Sequence, residues 1–168
     1  MIITAGIYKG RKLSVPDESI TRPTLSKVRM GVFNTLYSIT DFEGKTFLDV
    51  FGGSGVMGLE ALSRGFSHVK VFEKNSKAAD VIRKNYAQLG LKPDLIVGDS
   101  VRLVQKLDEV FDVVYIDPPY QSDLYEKVLE FVKGEVIILE GIKDINVDGF
   151  EVIKTKNYGG KLITYLTN

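Results

Sequence analysis

From Thr46 onward, hydrophobic residues fall into short apolar runs that alternate with longer amphipathic segments. The short runs have the length of buried strands, and the longer segments have the 3.6-residue period of helices. This alternation predicts a mostly parallel sheet with right-handed crossovers and helices on both faces. The predicted strands are 46–51, 69–72, 95–97, 111–116, 135–139, 150–156 and 161–166, and the predicted helices are 55–64, 76–89, 101–107 and 124–132.

Polar and glycine residues punctuate this pattern. Asn75 and Ser122 precede two of the predicted helices and are expected to cap them. The last two strands are separated by Asn157-Tyr158-Gly159-Gly160, which suits an antiparallel hairpin and not a helical crossover. The sequence therefore predicts seven strands ending in an antiparallel pair.

Residues 1–40 form a different pattern, which predicts a basic extension on a domain spanning 41–168. Runs 2–8 and 12–15 flank Lys9-Gly10-Arg11 and predict a β-hairpin. A loop then leads to a helix capped by Ser26, whose apolar face leaves Lys27 and Arg29 free to meet phosphate. The segment carries a net charge of +4 in a chain of net charge zero, which favours a polyanionic partner. A small capping hairpin without a ligand is the alternative.

The amino-acid composition excludes several kinds of metal site, disulfide bonds and a membrane span. The chain has no cysteine and one histidine, so thiolate zinc sites, disulfides and multi-histidine metal sites are excluded, and we expect no metal. No apolar run approaches the ~20 residues of a membrane span, and residues 1–10 lack the apolar core of a signal peptide. We expect a cytoplasmic monomer with no membrane partner.

The apolar run Val113-Val114-Tyr115-Ile116 leads directly into Asp117-Pro118-Pro119-Tyr120. Two successive prolines end a strand because they lack backbone donors, and ligands of open α/β sheets bind just beyond such strand ends. The carboxylate and carbonyls of this turn could hold the N–H groups of a nucleobase amine while Tyr120 stacks on the base. A strand-terminating turn with a solvated Asp117 is the alternative, and the complete four-residue string favours the functional interpretation.

Asp117-Pro118-Pro119-Tyr120 resembles the motif of S-adenosylmethionine-dependent enzymes that methylate exocyclic nitrogens of bases. Other segments are similar to the RsmD family, which are bacterial 16S rRNA (guanine-N2)-methyltransferases. Those segments are Tyr8-Lys9-Gly10-Arg11-Lys12-Leu13, Thr21-Arg22-Pro23-Thr24, Lys27-Val28-Arg29, Phe33-Asn34 and Gly58-Leu59-Glu60-Ala61-Leu62-Ser63-Arg64. The similarity runs from about Ile3 to Leu166, with Met30 standing where an acidic residue is expected. It implies the Rossmann-like class I methyltransferase fold.

The loop after the first predicted strand leaves two cofactors open. Gly53-Ser54-Gly55-Val56-Met57-Gly58 matches the dinucleotide pattern G-x-G-x-x-G, and Glu73 lies 18 residues beyond Gly55. By itself this loop suits either a nicotinamide dinucleotide or S-adenosylmethionine. The preceding 40 residues, the Gly98-Asp99-Ser100 turn and the Asp-Pro-Pro-Tyr turn favour S-adenosylmethionine, because hydride transfer has no evident use for that last turn.

The resemblance assigns a role to each matched position. Asp49 and the loop would hold the amino-acid end of S-adenosylmethionine, Glu73 the ribose diol, and Asp99 with the Ser100 backbone the adenine. The predicted cofactor-binding residues are Asp49, Phe51, Gly52, Gly53, Ser54, Gly55, Glu73, Lys74, Asp99 and Ser100. The predicted RNA-binding residues are Lys9, Arg11, Lys12, Arg22, Thr24, Lys27 and Arg29. Capping of helices by Asp49 and Asp99, and an exposed strand end at Glu73, are the alternatives.

The predicted reaction is direct methyl transfer to N2 of a guanine in 16S rRNA or a small-subunit assembly particle. Asp117 and the Pro118 carbonyl would orient the amine, Pro119 would stiffen the turn, and Tyr120 would stack on the base. The target should be a loop or flipped-out nucleotide, because a base inside a helix could not reach the turn. A DNA adenine-N6 methyltransferase and a non-catalytic RNA-binding or assembly factor remain alternatives, although the chain is short for a DNA target-recognition domain.

Overall fold

Seven strands form one sheet in a computed structural model that describes residues 1–17, 24–119, 123–141 and 145–168. The strands are β1 Thr46–Asp49, β2 His68–Glu73, β3 Asp94–Val97, β4 Val113–Ile116, β5 Val136–Gly141, β6 Glu151–Tyr158 and β7 Lys161–Thr167. Their order across the sheet is β3-β2-β1-β4-β5-β7-β6. Strands β3 to β5 in this order pair in parallel, and β7 pairs antiparallel with both β5 and β6. The predicted class I methyltransferase arrangement is confirmed.

Helices cover both faces of the sheet. They are α1 Ser26–Tyr37, α2 Val56–Ser63, α3 Ser76–Gln88, α4 Ser100–Gln105 and α5 Asp123–Leu129. Apolar residues of α1, α2 and α3 pack in one core cluster, and those of α4 and α5 pack in a second cluster on the opposite face. Of the helices in the described ranges, none combines the length and apolar character needed to cross a membrane.

The helix starts follow the predictions only in part. The predicted cap Asn75 is confirmed, because its side chain accepts hydrogen bonds from the backbone N–H groups of Lys77 and Ala78. The prediction for Ser26 is wrong: Leu25 occupies the cap position and Ser26 is the first helical residue. The predicted cap Ser122 lies outside the described residues.

The predicted N-terminal hairpin shrinks to a single antiparallel bridge between Ile2 and Lys12. The reason is that the backbone N–H groups of Thr4, Ile7 and Tyr8 bond to α2, although Ile3 N–H still donates to the Arg11 carbonyl at 3.1 Å. Thr4 N–H donates to the Glu60 carboxylate at 2.8 Å, Ile7 N–H to the Ser63 carbonyl at 2.8 Å, and Tyr8 N–H to the Ser63 hydroxyl at 2.9 Å. The segment is thus fastened to the end of α2, while the domain boundary near residue 40 stays a prediction.

Glu60 of α2 is the centre of this attachment. Its carboxylate is fully buried and accepts from the Thr4 hydroxyl at 2.8 Å, from Arg29 Nε at 3.3 Å and from Arg64 Nε at 3.3 Å. Arg29 is 1% exposed and also donates to the carbonyls of Thr24 and Ile2. The prediction that Arg29 is free to meet phosphate is therefore wrong, because its guanidinium is used inside the protein.

We expect Glu60→Ala to lower the free energy of unfolding by about 3–5 kcal/mol, because the variant leaves the buried Arg29 guanidinium without its counter-charge. Urea denaturation followed by circular dichroism measures the change. Glu43→Ala, which removes an exposed carboxylate, is the matched control and should change stability by less than about 0.5 kcal/mol. Equal stability of the two variants would contradict the role given to Glu60.

Candidate active site at the carboxyl ends of the strands

Four acidic residues follow four neighbouring strands at the same edge of the sheet. Asp49 and Glu73 are the last residues of β1 and β2, Asp99 comes two residues after β3, and Asp117 directly follows β4. The strands pair in parallel in the order β3-β2-β1-β4, so their carboxyl ends meet at one edge. The direction of winding reverses between β1 and β4, and this switch point is where open α/β sheets bind ligands. Asp49 and Asp117 lie on its two sides.

The loop between β1 and α2 has the backbone that its glycines predict. Gly53 and Gly55 have φ values of +56° and +76°, which side chains with a Cβ atom rarely adopt. Gly53 N–H donates to one Glu73 carboxylate oxygen at 2.7 Å, and the other oxygen accepts from Asn75 N–H at 2.7 Å. Glu73 thus holds the loop against the end of β2, and each of its oxygens keeps a lone pair for a ligand.

Asp49 is a buried carboxylate that is 1% exposed. In the described parts of the chain, no donor lies within hydrogen-bonding geometry of either of its oxygens. Burial, followed by the nearby charges of Glu73 and Glu140, raises the pKa of Asp49 to about 7, against the opposing effect of the Phe51 backbone N–H. A buried carboxylate without donors is unfavourable unless a ligand supplies them, so Asp49 marks a position for a cation or a strong donor.

The turn after β3 is held by α4. The Asp99 carboxylate caps this helix by accepting from Arg102 N–H at 3.2 Å, and Lys74 Nζ lies 3.5 Å away. The Arg102 N–H is the main reason why the pKa of Asp99 falls below its usual value. The Ser100 hydroxyl is buried and donates to the Val50 carbonyl at 2.6 Å, which ties α4 to β1. The capping alternative for Asp99 is thus confirmed. Binding of an adenine by Asp99 at the edge of the sheet stays a prediction.

The turn after β4 places Asp117 beside two charged residues from later strands. Its side chain is 25% exposed, and the Lys161 ammonium on β7 lies 4.0 Å from its Oδ1 atom. Burial, followed by the charge of Glu140 on β5, raises the pKa of Asp117 to about 8, while Lys161 opposes this shift and Asp49 adds to it. Pro118 is buried and Pro119 is exposed, so the two prolines form a turn packed on one side only.

Sequence reasoning missed Glu140 and Lys161. Glu140 is fully buried and forms an ion pair of 2.9 Å with Lys161. Its signal was present, because Ile137-Ile138-Leu139-Glu140 repeats the pattern of an apolar strand running into a carboxylate that drew attention to Asp117. Lys161 had no such signal, because a lysine at the start of an amphipathic strand is commonplace.

The remaining predicted site residues lie in different places. Phe51 is half-buried beside the loop, and Lys74 is 76% exposed. Lys12 and Lys27 are exposed, and the Thr24 carbonyl accepts from Arg29. Tyr120 and Arg22 lie outside the described residues.

Lys9 and Arg11 lie near the opposite edge of the sheet from the four acids. Arg11 Nη2 donates to the carbonyl of Gln88, the last residue of α3, and the neighbouring Tyr8 contacts Ser63 at the end of α2. Both helices begin at the acidic edge and run about 12–20 Å to the other edge. The structure therefore separates these two cations from the Asp117 turn.

A groove of about 440 Å³ lies between α1 and the end of α2, on the side of Arg64 and Gly6 and away from the strand ends. Within residues 1–17, 24–119, 123–141 and 145–168, no group of three His, Cys, Asp or Glu residues is arranged to hold a metal ion. The chemically distinctive groups lie at the carboxyl edge.

Comparison with known proteins gives relatives along nearly the whole chain. The sequence model of the family described as "Conserved hypothetical protein 95" matches residues 1–167. A putative rRNA methyltransferase of Bacillus subtilis is 34% identical over 157 residues, which is 90% of this chain and 80% of that protein. Ribosomal RNA small subunit methyltransferase D of Haemophilus influenzae is 30% identical over 172 residues, covering 94% and 88% of the two chains.

A solved structure agrees with these sequence relatives. A putative methyltransferase from Escherichia coli superposes with a TM-score of 0.85 at 25% identity, covering 100% of this chain and 98% of that one. The likeness spans the sheet, the helices and the N-terminal segment alike. The chain therefore belongs to the family described as "Conserved hypothetical protein 95", which confirms the resemblance to the RsmD methyltransferases.

Proposed function

We propose that this protein is an S-adenosylmethionine-dependent methyltransferase that modifies N2 of a guanine in 16S rRNA, in the cytoplasm. One observation carries the proposal: the Asp117-Pro118-Pro119 turn and the glycine loop leave adjacent parallel strands at the switch point of the sheet, with Asp49 paired to Tyr115 in the register of β1 and β4. A methyl donor on one strand end and an acceptor base on the next would be neighbours. The names of the Bacillus and Haemophilus relatives support the rRNA substrate.

The residues at the edge fit S-adenosylmethionine. The buried carboxylate of Asp49, which has no hydrogen-bond partner among the described residues, suits the ammonium of its amino-acid end. The glycine loop allows a ligand to approach the backbone closely, and Glu73 lies beside it with lone pairs for a ribose diol. When bound, S-adenosylmethionine supplies an electrophilic methyl carbon on a sulfonium, whose leaving group is a neutral thioether.

The chain's own residues would position the acceptor. The Asp117 carboxylate and the Pro118 carbonyl accept hydrogen bonds from the two N–H groups of the guanine amine, which directs the nitrogen lone pair toward the methyl carbon. Transfer of the methyl group, with loss of the thioether, would leave the nitrogen positively charged, and Asp117 would take one of its protons. The pKa of about 8 makes this carboxylate a stronger base than a solvated aspartate. Positioning of this kind can lower the activation free energy by up to about 7–11 kcal/mol.

We expect Asp117→Ala to lower the rate of methyl transfer by at least about 10²-fold, because it removes both the acceptor and the base. The measurement is transfer of tritiated methyl from S-adenosylmethionine to rRNA and to small-subunit particles from a strain lacking this protein. Mass spectrometry of the digested RNA should find N2-methylguanosine, and calorimetry should find S-adenosylmethionine binding within about threefold of wild type.

Asp123→Ala, which removes an exposed carboxylate at the start of α5, is the matched control and should retain activity. Full activity of Asp117→Ala would remove Asp117 from the mechanism. Label in N6-methyladenosine of DNA would favour the adenine methyltransferase alternative, and binding of RNA without transfer would favour a non-catalytic factor.

A second prediction concerns the pH dependence of cofactor binding. Below a pH of about 7 the Asp49 carboxyl of the free protein is protonated, and pairing with an ammonium requires its proton to leave. Affinity for S-adenosylmethionine should therefore fall as pH falls, by up to about tenfold per unit. Calorimetry between about pH 5.5 and about pH 7 measures the slope. Asp49→Asn should bind more weakly with a flatter slope, and a wild-type affinity independent of pH would contradict the role of Asp49.

A third prediction concerns the RNA surface. Neutralising Lys9, Arg11 and Lys12 together should weaken rRNA binding and reduce the slope of log K against log salt concentration by about 2, because each phosphate contact contributes about 0.7. These cations lie far from the Asp117 turn, so we expect the affinity of RNA to fall more than the rate at saturating RNA.

The matched control neutralises three exposed lysines elsewhere, namely Lys92, Lys106 and Lys133. It should leave the salt slope close to that of wild type. If the two triple variants have the same slope, the RNA-binding surface does not include Lys9, Arg11 and Lys12.

A further inference from the structure

The buried carboxylate of Glu140 is the centre of a set of contacts behind the Asp117 turn. The hydroxyl of Tyr115, on β4, donates to its Oε2 atom, and the ammonium of Lys161, on β7, lies 2.9 Å from its Oε1 atom. The hydroxyl of Tyr125, on α5, donates to the backbone carbonyl of Glu140 at 2.5 Å. Glu140 is thus fixed by three different elements although a buried carboxylate is costly to keep.

Lys161 connects this carboxylate to Asp117. Strand β7 runs antiparallel to β5, so its first residue lies at the edge where the parallel strands end. From there the Lys161 ammonium lies between two acids, 2.9 Å from Glu140 and 4.0 Å from Asp117. Its side chain is 40% exposed, so it borders the surface that an acceptor base would reach.

We propose that Lys161 and Glu140 are positioning residues for methyl transfer: Glu140 holds the Lys161 ammonium in place, and Lys161 orients the Asp117 carboxylate and supplies the positive charge that it faces. The proposal rests on the proposed function, because it needs Asp117 to act as an ionised acceptor. The Glu140 carboxylate is buried while the Lys161 ammonium is 40% exposed, and because burying a carboxylate is costly even when it is paired, a role at the site accounts for keeping it there.

The charges around Asp117 decide how each substitution acts. The groups that face it in the described structure are Asp49 of β1, Tyr115 of β4, Tyr125 of α5, Glu140 of β5 and Lys161 of β7. Burial raises the pKa values of both tyrosines, so both are neutral near pH 7. Glu140 and Asp49 favour the protonated form of Asp117, and Lys161 alone among these five favours the carboxylate.

Removing Lys161 and removing Glu140, each in its own variant, should therefore shift the acid limb of the pH–rate profile in opposite directions. Lys161→Met raises the pH at which Asp117 ionises, so the acid limb of the rate profile moves up by about one unit or more. Below that limb the variant is about tenfold or more slower, and it recovers at higher pH. Glu140→Gln keeps an acceptor for Tyr115 but removes a negative charge, so the acid limb moves down.

The test is the single-turnover rate of methyl transfer at saturating RNA and S-adenosylmethionine, measured across pH. Lys161→Arg should restore the wild-type limb to within about half a unit, since it restores the charge. Lys156→Met, which makes the same charge change at an exposed position on the neighbouring strand β6, is the control and should leave the limb in place. A purely structural role would shift the unfolding midpoint without shifting the two limbs in opposite directions.

Two results would overturn the proposal: limbs of Lys161→Met and Glu140→Gln that move together, or a Lys161→Met limb that coincides with that of wild type. If Glu140→Gln does not fold, Lys161→Met and its Lys161→Arg rescue decide alone. Asp117→Asn separates this proposal from the proposed function. Activity in Asp117→Asn means that the role of Asp117 fails, whereas an inactive Asp117→Asn with unmoved limbs means that only the role of Lys161 and Glu140 fails.

Discussion

Parallel pairing of neighbouring strands is the constraint on which this site depends. It brings the carboxyl ends of β3, β2, β1 and β4 to one edge, and each strand delivers an acid there. Such convergence is electrostatically unfavourable, because buried carboxylates raise one another's pKa values. The protein relieves it with backbone N–H groups at Glu73 and Asp99 and with the ammonium of Lys161 near Asp117. Asp49 is the acid whose two oxygens have no hydrogen-bond partner in the described structure, and the Phe51 backbone N–H only partly offsets the rise of its pKa, so Asp49 points to a cationic ligand.

The N-terminal segment is bound to α2, which directly follows the glycine loop, and to α3, which contacts that loop. Glu60 on α2 binds Thr4 and Arg29. Asn85 on α3 is buried and bridges the segment to the loop, because its side chain bonds to both backbone groups of Ser14 and to the carbonyl of Ser54. A displacement of the segment would therefore act on α2 through Glu60 and on the Ser54 backbone through Asn85. This arrangement connects the region predicted to meet RNA with the region predicted to hold the methyl donor.

The sequence predicted the parts of this molecule that depend on local pattern. Apolar runs located all seven strands, and Asp117 and Glu73 were found because each follows such a run directly. Apart from the Ser26 cap, predictions failed where a residue distant in the sequence supplies the bonding partner. The Ile2–Lys12 bridge stays single because the backbone N–H groups of Thr4 and Tyr8 donate to α2. Arg29 is buried because it pairs with Glu60, which lies 31 residues further along the chain. Lys161 escaped notice for the same reason, since its partners are fixed only by the strand order.

Strand β7 pairs with β5 on one side and with β6 on the other, so the β6–β7 hairpin extends the sheet beyond β5 through its second strand. Lys161 follows Asp49 by 112 residues and Asp117 by 44 residues along the chain. A nascent chain that has left the ribosome only as far as β5 would carry the acids at the sheet edge but no ammonium at position 161. The Lys161 ammonium therefore reaches the acids only once β7 has paired with β5, so docking of this hairpin sets the charge balance of the sheet edge.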